Sequence, residues 1–190
     1  MINYNNGDLY MYSGKIGFPT GSPSLWDVAV SLSREGRYAG AGMRFWPVAL
    51  HTFVVCDMLP SKLKIHGLLH DSTESVTGDI PKPAKSEELE AFEDRLLSII
   101  YKGLDIPSPS PSEWDTVKVA DKKALRGEVY TVGTQALQQV YDRCPEAEAL
   151  VSFYIDKYTY ADCLEASGRV PIEFMRRFRQ YKDLLYVPQI

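Results

Sequence analysis

From Trp26 onward the chain takes up a helical rhythm. Val28, Ala29 and Leu32 fall on one face, and the run stops at the glycines of REGRYAGAG, where tight turns are expected. Pro47 opens a second helix, PVALHTFVVCDML, whose apolar side carries Val48, His51 and Val55 at helical intervals. A third helix is predicted over 61–77, with Leu63, His66, His70 and Glu74 on one stripe. Gly78 should close it, and two prolines stiffen the loop GDIPKPAK beyond. A charged helix, SEELEAFEDRLLSIIYKGL, and a linker, IPSPSPS, come next. Ser110, Pro111 and Glu113 then announce another helix by a capping box with proline at its first position, and Val117, Asp121 and Ala124 share one of its faces. EVYTVGTQALQQVY, PEAEALVSFYIDKYTYADCLEAS and PIEFMRRFRQYKDLLY read as three further helices. The first 25 residues differ: NNGD and PTGSP are turn signals around the short run LYMY, which predicts an extended arm or a small hairpin. The expected fold is therefore all-α, a helical bundle with a short irregular or hairpin N-terminal arm.

A length of 190 residues, 45% hydrophobic and 24% charged, fits one domain with one core over residues 1–190. The net charge of -4 argues against a nucleic-acid polymer or a membrane surface as partner, since both need a broad basic field. An anionic substrate would then need a local cationic pocket or a metal. Cys56, Cys144 and Cys163 are odd in number and form no CxxC pair, which suggests neither a disulfide framework nor a zinc knuckle and fits a reducing cytoplasm. MINYNNGDLY lacks the basic and apolar regions of a signal peptide, and no run approaches a membrane span, so a soluble, unprocessed protein is expected.

Against this background four polar residues stand where apolar ones would be expected. His51, His70, Asp71 and Asp121 come from three predicted helices, each on or beside a face that should be buried. Convergence on one metal would satisfy all four. Two imidazoles and two carboxylates leave one or two positions open on a five- or six-coordinate ion, as phosphate binding or water activation requires. The mixed nitrogen and oxygen set suits Zn, Co, Mn or Fe(II). His66, one turn before His70, reads as a packed core histidine. Trp46, Tyr101, Trp114 and the YIDKYTY stripe read as core or subunit interface. FMRRFRQYK reads as an amphipathic helix, because Phe174 and Phe178 are four apart and charges fill its other faces.

The pattern His51, His70-Asp71, Glu74, Asp79 and Asp121, with HDSTESVTGDIPKPAK and VKVAD, resembles the HD-domain metal-dependent phosphohydrolases. It is most similar to the branch holding bacterial 5'-deoxynucleotidases and phage-encoded dATP triphosphohydrolases. The likeness covers about residues 10 to 126, and the C-terminal helices match in type only. It implies an HD-domain helical bundle in which His51, His70, Asp71 and Asp121 bind a divalent metal cofactor (Zn, Co, Mn or Mg). Glu74 would then orient or deprotonate the attacking water and Asp79 would assist the leaving oxygen. Arg37 and Lys85 match positions that the family uses to hold phosphates; Lys118, three residues before Asp121 and on the same side of its helix, could join them, and Lys82 is a further candidate. Tyr38 and Pro83 would enclose the base. Trp26 and Leu25 are weaker candidates for that pocket. One departure is visible: RYAGA carries Ala41 where many relatives place a histidine.

The resemblance implies a deoxynucleoside triphosphate hydrolase acting on dATP and releasing deoxyadenosine and phosphate. In a phage-infected cell it would deplete dATP in the host cytoplasm. The alternatives are a 5'-deoxynucleotidase acting on monophosphates and, in a different class, a non-catalytic nucleotide-sensing module. A deoxynucleotide substrate and a homo-oligomeric assembly, dimer or hexamer, are the implied partners.

Overall fold

Two short strands, β1 (Asp8–Met11) and β2 (Gly14–Gly17), pair antiparallel with Leu9 opposite Ile16 and Met11 opposite Gly14. The expected hairpin arm is therefore present. The computed structural model describes residues 8–11, 14–17 and 22–186, and most of the NNGD and PTGSP turn signals lies outside the described residues. Among the described residues everything else is helical or connects helices, so the fold is all-α.

Helix α1 (Leu25–Arg34) starts at Ser24, whose hydroxyl accepts from the Asp27 N–H while the Asp27 carboxylate accepts from the Ser24 N–H. This reciprocal cap satisfies two otherwise orphaned donors. Helix α2 (Val48–Asp57) is buried along Val48 to Cys56 on every side, which makes it the central helix of the bundle. Around it pack α1, α3 (Lys64–Leu69), α6 (Pro111–Thr131), α8 (Pro145–Lys157) and α10 (Arg169–Leu184). Trp46, Phe53, Tyr154 and Phe174 are enclosed at the centre, each burial stabilising by roughly 1.5–3 kcal/mol. Helix α5 (Glu87–Gly103) lays Leu96 and Ile100 against Val76 in a smaller satellite cluster.

The helix expected over 61–77 is broken into pieces: a 3-10 turn at Ser61–Leu63, then α3, a tight turn over 70–73, and α4 (Glu74–Thr77). Two causes are local. The His70 ring Nδ1 takes the Gly67 carbonyl at 2.7 Å, and the N–H groups of Ser72, Glu74 and Val76 bond three residues back rather than four. Tightening the turn changes the direction in which His70, Asp71 and Glu74 project. Gly78, at φ +81°, closes α4 as expected, with its N–H on the Glu74 carbonyl.

Two C-terminal expectations are also corrected. EVYTVGTQALQQVY is not a separate helix: its first residues are the end of α6, which runs unbroken to Thr131, and α7 (Gln135–Gln138) is a single turn. Gly127 keeps α6 continuous at a close crossing, because a Cβ there would meet the Ala147 backbone of α8 at 2.5 Å. PEAEALVSFYIDKYTYADCLEAS is two helices, α8 and α9 (Tyr160–Leu164). Tyr158 is extended, and Thr159 with Asp162 forms a fresh capping box that restarts the chain.

Helix α10 buries Phe174, Phe178 and Tyr181, as the amphipathic reading expects, but it also buries Arg177. That guanidinium lies 3.0 Å from Asp57 Oδ1, 2.9 Å from Glu173 Oε1 and 3.2 Å from the Tyr181 hydroxyl, and it also meets the Tyr154 hydroxyl. Its flat face covers the Phe53 ring at 4.6 Å. His66 is buried and stacks on Tyr101, with ring centroids 5.8 Å apart. It packs in the core, as expected.

Candidate metal centre

Three separate elements bring His51, His70 and Asp121 together, with Asp71 beside the two rings. His51 stands in the first half of α2, His70 and Asp71 in the tight turn after α3, and Asp121 midway along α6. The His51 and His70 rings lie 5.3 Å apart between centroids. His51 Nε2 is 3.1 Å from Asp121 Oδ1 and 3.5 Å from Asp71 Oδ2, and His70 Nε2 is 3.1 Å from Asp71 Oδ2 and 3.9 Å from Asp121 Oδ1. His51, His70 and Asp121 form a group whose ligand atoms all lie within 4.8 Å of one another and can hold a metal ion.

The hydrogen bonds around the rings tell more than the distances. Each Nδ1 is engaged away from the centre: His51 Nδ1 with Glu128 Oε1 at 2.6 Å, and His70 Nδ1 with the Gly67 carbonyl. Both partners can only accept, so both Nδ1 atoms carry protons. Each Nε2 is buried and meets no acceptor in good hydrogen-bond geometry, its nearest neighbours being the Asp121 and Asp71 carboxylate oxygens at 3.1 Å. Two buried imidazole nitrogens without a bond are costly, about 1–3 kcal/mol each. A divalent cation among the four side chains would satisfy both at once, and neutral imidazole with Nδ1 tied back is the usual form of a histidine ligand. The donor set therefore fits a metal.

The electrostatics are those of a site holding more acid than base. Burial and the Arg37 cation oppose a proton on His51, but Glu128 and Asp121 outweigh them and push its pKa up to about 10. Burial likewise opposes charge on His70, and Asp71 reverses the balance and raises its pKa. Against the burial that would raise it, Asp71 is held well below the usual carboxylate range by His70, His51 and Arg37. Asp121 moves the same way through the two histidines. A divalent ion would answer the same surplus of carboxylates.

Glu74 and Asp79 border this cluster. Glu74 is 8% exposed, its Oε2 has no hydrogen-bond partner, and burial followed by the Asp71 and Asp79 charges pushes its pKa far up. The Asp79 N–H donates to Glu35 Oε1 at 3.1 Å, which pins the GDIP loop to the end of α1. Arg37 Nη1 is 3.8 Å from Asp71, so its cation reaches the centre. Lys85 is held by Glu93 at 2.7 Å, and Glu93 in turn accepts from the Thr77 hydroxyl. Lys82, Pro83 and Lys118 are exposed, and Lys118 lies over the Trp114 ring at 6.0 Å. Tyr38 is half-buried and turns its hydroxyl inward to Glu128 at 3.3 Å. Leu25 packs against the core and Trp26 is half-buried on the same helix. Ala41 is exposed, and its N–H caps the Tyr38 carbonyl.

The sequence reading missed Glu128. It is fully buried, and His51 and Arg37 hold its pKa down to about 2 against the burial that would raise it. A signal was present: Glu128 follows Asp121 by seven residues and Ala124 by four, so it continues the face already identified on α6.

No family model matches the chain. It is 32% identical over 109 residues to the uncharacterized protein YfdR of Escherichia coli (strain K12), a match that takes in 56% of this chain. The match spans 60% of YfdR, less than two thirds of that relative's length. No described helix is long and apolar enough to cross a membrane.

Proposed function

We propose that the chain is a divalent-metal-dependent phosphohydrolase of the HD-domain type that acts on deoxynucleotides, with dATP as its substrate and deoxyadenosine as a product. The observation that carries this reading is the pair of buried, unbonded Nε2 atoms of His51 and His70 facing the Asp71 and Asp121 carboxylates, with the free Glu74 Oε2 beside them. A metal held by those four residues would supply Lewis-acid polarisation of a phosphoryl oxygen and acidify a water.

The remaining chemistry belongs to the chain. Glu74 accepts the proton of the attacking water once its own has been displaced by the cation held beside it, a role suited to a carboxylate whose basicity is raised by burial and by its neighbours Asp71 and Asp79. Asp79, on a loop pinned by Glu35, assists the passage of the proton taken from the water to the leaving 5' oxygen as the phosphorus–oxygen bond breaks. Arg37 neutralises phosphate oxygens from beside Asp71, and Lys85 joins it by leaving Glu93. Lys118 and Pro83, both exposed, would be the outermost contacts of the substrate. The choice of dATP and of a homo-oligomeric assembly rests on the resemblance carried by the HDSTESVTGDIPKPAK run.

The test is to incubate the protein with each dNTP, dNMP and rNTP plus Co, Mn, Zn or Mg and to follow phosphate and nucleoside release. Deoxyadenosine appearing from dATP without passing through dAMP is the expected result. Turnover confined to monophosphates would replace it with a 5'-deoxynucleotidase. No turnover with any pair, together with unchanged nucleotide binding in Asp71→Ala, would leave a nucleotide-sensing module.

A further inference from the structure

Glu128 is neither a ligand nor one of the acid–base pair, yet both of its oxygens are committed in opposite directions. Oε1 lies 2.6 Å from His51 Nδ1, while Oε2 accepts from Arg37 Nε at 3.0 Å and from the Tyr38 hydroxyl at 3.3 Å. It has no exposed surface. Arg37 and Tyr38 begin a turn in which three successive residues occupy the left-handed region, Tyr38 at φ 61°, Ala39 at 51° and Gly40 at 76°. Two of these are not glycine, so the conformation is strained and needs outside support. Its backbone is tied by Arg37 N–H to the Trp46 carbonyl at 2.9 Å and by Met43 N–H to the Val132 carbonyl at 2.7 Å. Its two inward side chains both end on Glu128.

We propose that Glu128 is a positioning residue that couples the metal centre to the anion-binding turn. One oxygen holds His51 in the tautomer that presents Nε2 to the centre; the other holds the Arg37–Gly40 turn where its guanidinium reaches Asp71. The proposal rests on the metal-centre reading above. It follows from the inventory of donors: only a carboxylate offers acceptors on both sides, to Nδ1–H on one and to Nε–H and O–H on the other. Glutamine has the same shape but one acceptor. It must either present its NH2 to His51, which moves the ring proton to Nε2 and blocks that ligand, or present it to Arg37 and Tyr38, which releases the turn.

The experiment compares wild type and Glu128→Gln by calorimetric titration of the metal-free proteins with Zn2+, and of the Zn2+-loaded proteins with inorganic phosphate. Where the amide NH2 turns to His51, Zn2+ affinity should fall about 10–100-fold, the range for loss of a partner behind a ligand histidine, and where it turns to Arg37 and Tyr38, phosphate affinity of the Zn2+-loaded protein should fall instead. A variant that binds both Zn2+ and phosphate within twofold of wild type would overturn the coupling while leaving the metal centre standing. A wild-type protein that binds no Zn2+ would overturn both. A long-range proton–nitrogen spectrum of the Zn2+-loaded wild type gives a second measurement that needs no variant. Protonated Nδ1 with Zn2+ on Nε2 of His51 supports the proposal, and Zn2+ on Nδ1 overturns it.

Discussion

Two buried polar clusters share helix α2, and they are built to different ends. Around Arg177 the guanidinium is met by Asp57, Glu173, Tyr154 and Tyr181, and Glu173 also takes Arg176, so two cations balance two carboxylates and the donors find acceptors. Around His51 carboxylates outnumber cations, and both Nε2 atoms and one Glu74 oxygen are left without bonds. Six residues separate His51 from Asp57, roughly 9 Å along a helix. The closed cluster welds α10 to the core, whereas the open one keeps its chemistry for something that arrives.

If that contrast is right, matched substitutions should separate the two. Asp71→Asn, in the open cluster, is expected to lower phosphate release by at least ~10^3-fold, the several kcal/mol that a metal supplies to such a transition state, and steady-state assays would show it. Asp57→Asn should leave turnover of the folded protein within a few-fold. Arg177→Met should cost about 3–5 kcal/mol of unfolding free energy in urea, because Asp57 and Glu173 lose a buried partner; a loss under 1 kcal/mol would mean that the cluster is not closed.

Metal addition is the next largest effect. Zn2+ at a hundred times its dissociation constant should stabilise the protein by about 2.7 kcal/mol, raising Tm by roughly 5–10 °C for a chain of this length. Arg177→Met should keep that increment and Asp71→Asn should lose it, which differential scanning fluorimetry can measure for both.

A smaller effect comes from His66, which belongs to neither cluster. Its burial against Tyr101 lowers its pKa, so below the unfolded value near 6.5 the unfolded chain binds more protons than the native one. Its contribution to stability is therefore present above that pH and is lost as the pH falls through the folded pKa. Acid-limb unfolding should be shallower in His66→Gln than in wild type, and an unchanged slope would count against a neutral packed imidazole. The smallest change is expected at the rim: Lys118→Ala, which removes an exposed charge lying over Trp114, should raise KM only about two- to fivefold with kcat unchanged.

Much of the architecture was legible because its signals are local. The Ser110, Pro111 and Glu113 start of α6, the Gly78 stop after α4 and the Phe174 and Phe178 face of α10 were all readable from neighbours three or four residues away. Errors arose where an equally local signal was passed over or where packing decided. The Thr159 and Asp162 capping box that splits α8 from α9 is visible in the sequence once it is looked for. The unbroken course of α6 through Gly127 is not, because it depends on how closely α8 approaches.

The candidate site divides in the same way. Residue type and helical spacing alone marked His51, His70, Asp71 and Asp121 as misplaced in apolar surroundings, and an unpaired polar group in a core always demands a partner. Only the tertiary structure supplied the partners. It brought α2, the turn after α3 and α6 to within a few ångströms, set Asp71 and Asp121 beside the ring nitrogens, and placed Glu128 behind His51. Spacing along one helix fixes which side chains share a face. What that face meets is decided by the packing of helices far apart in the chain, and there the sequence by itself is silent.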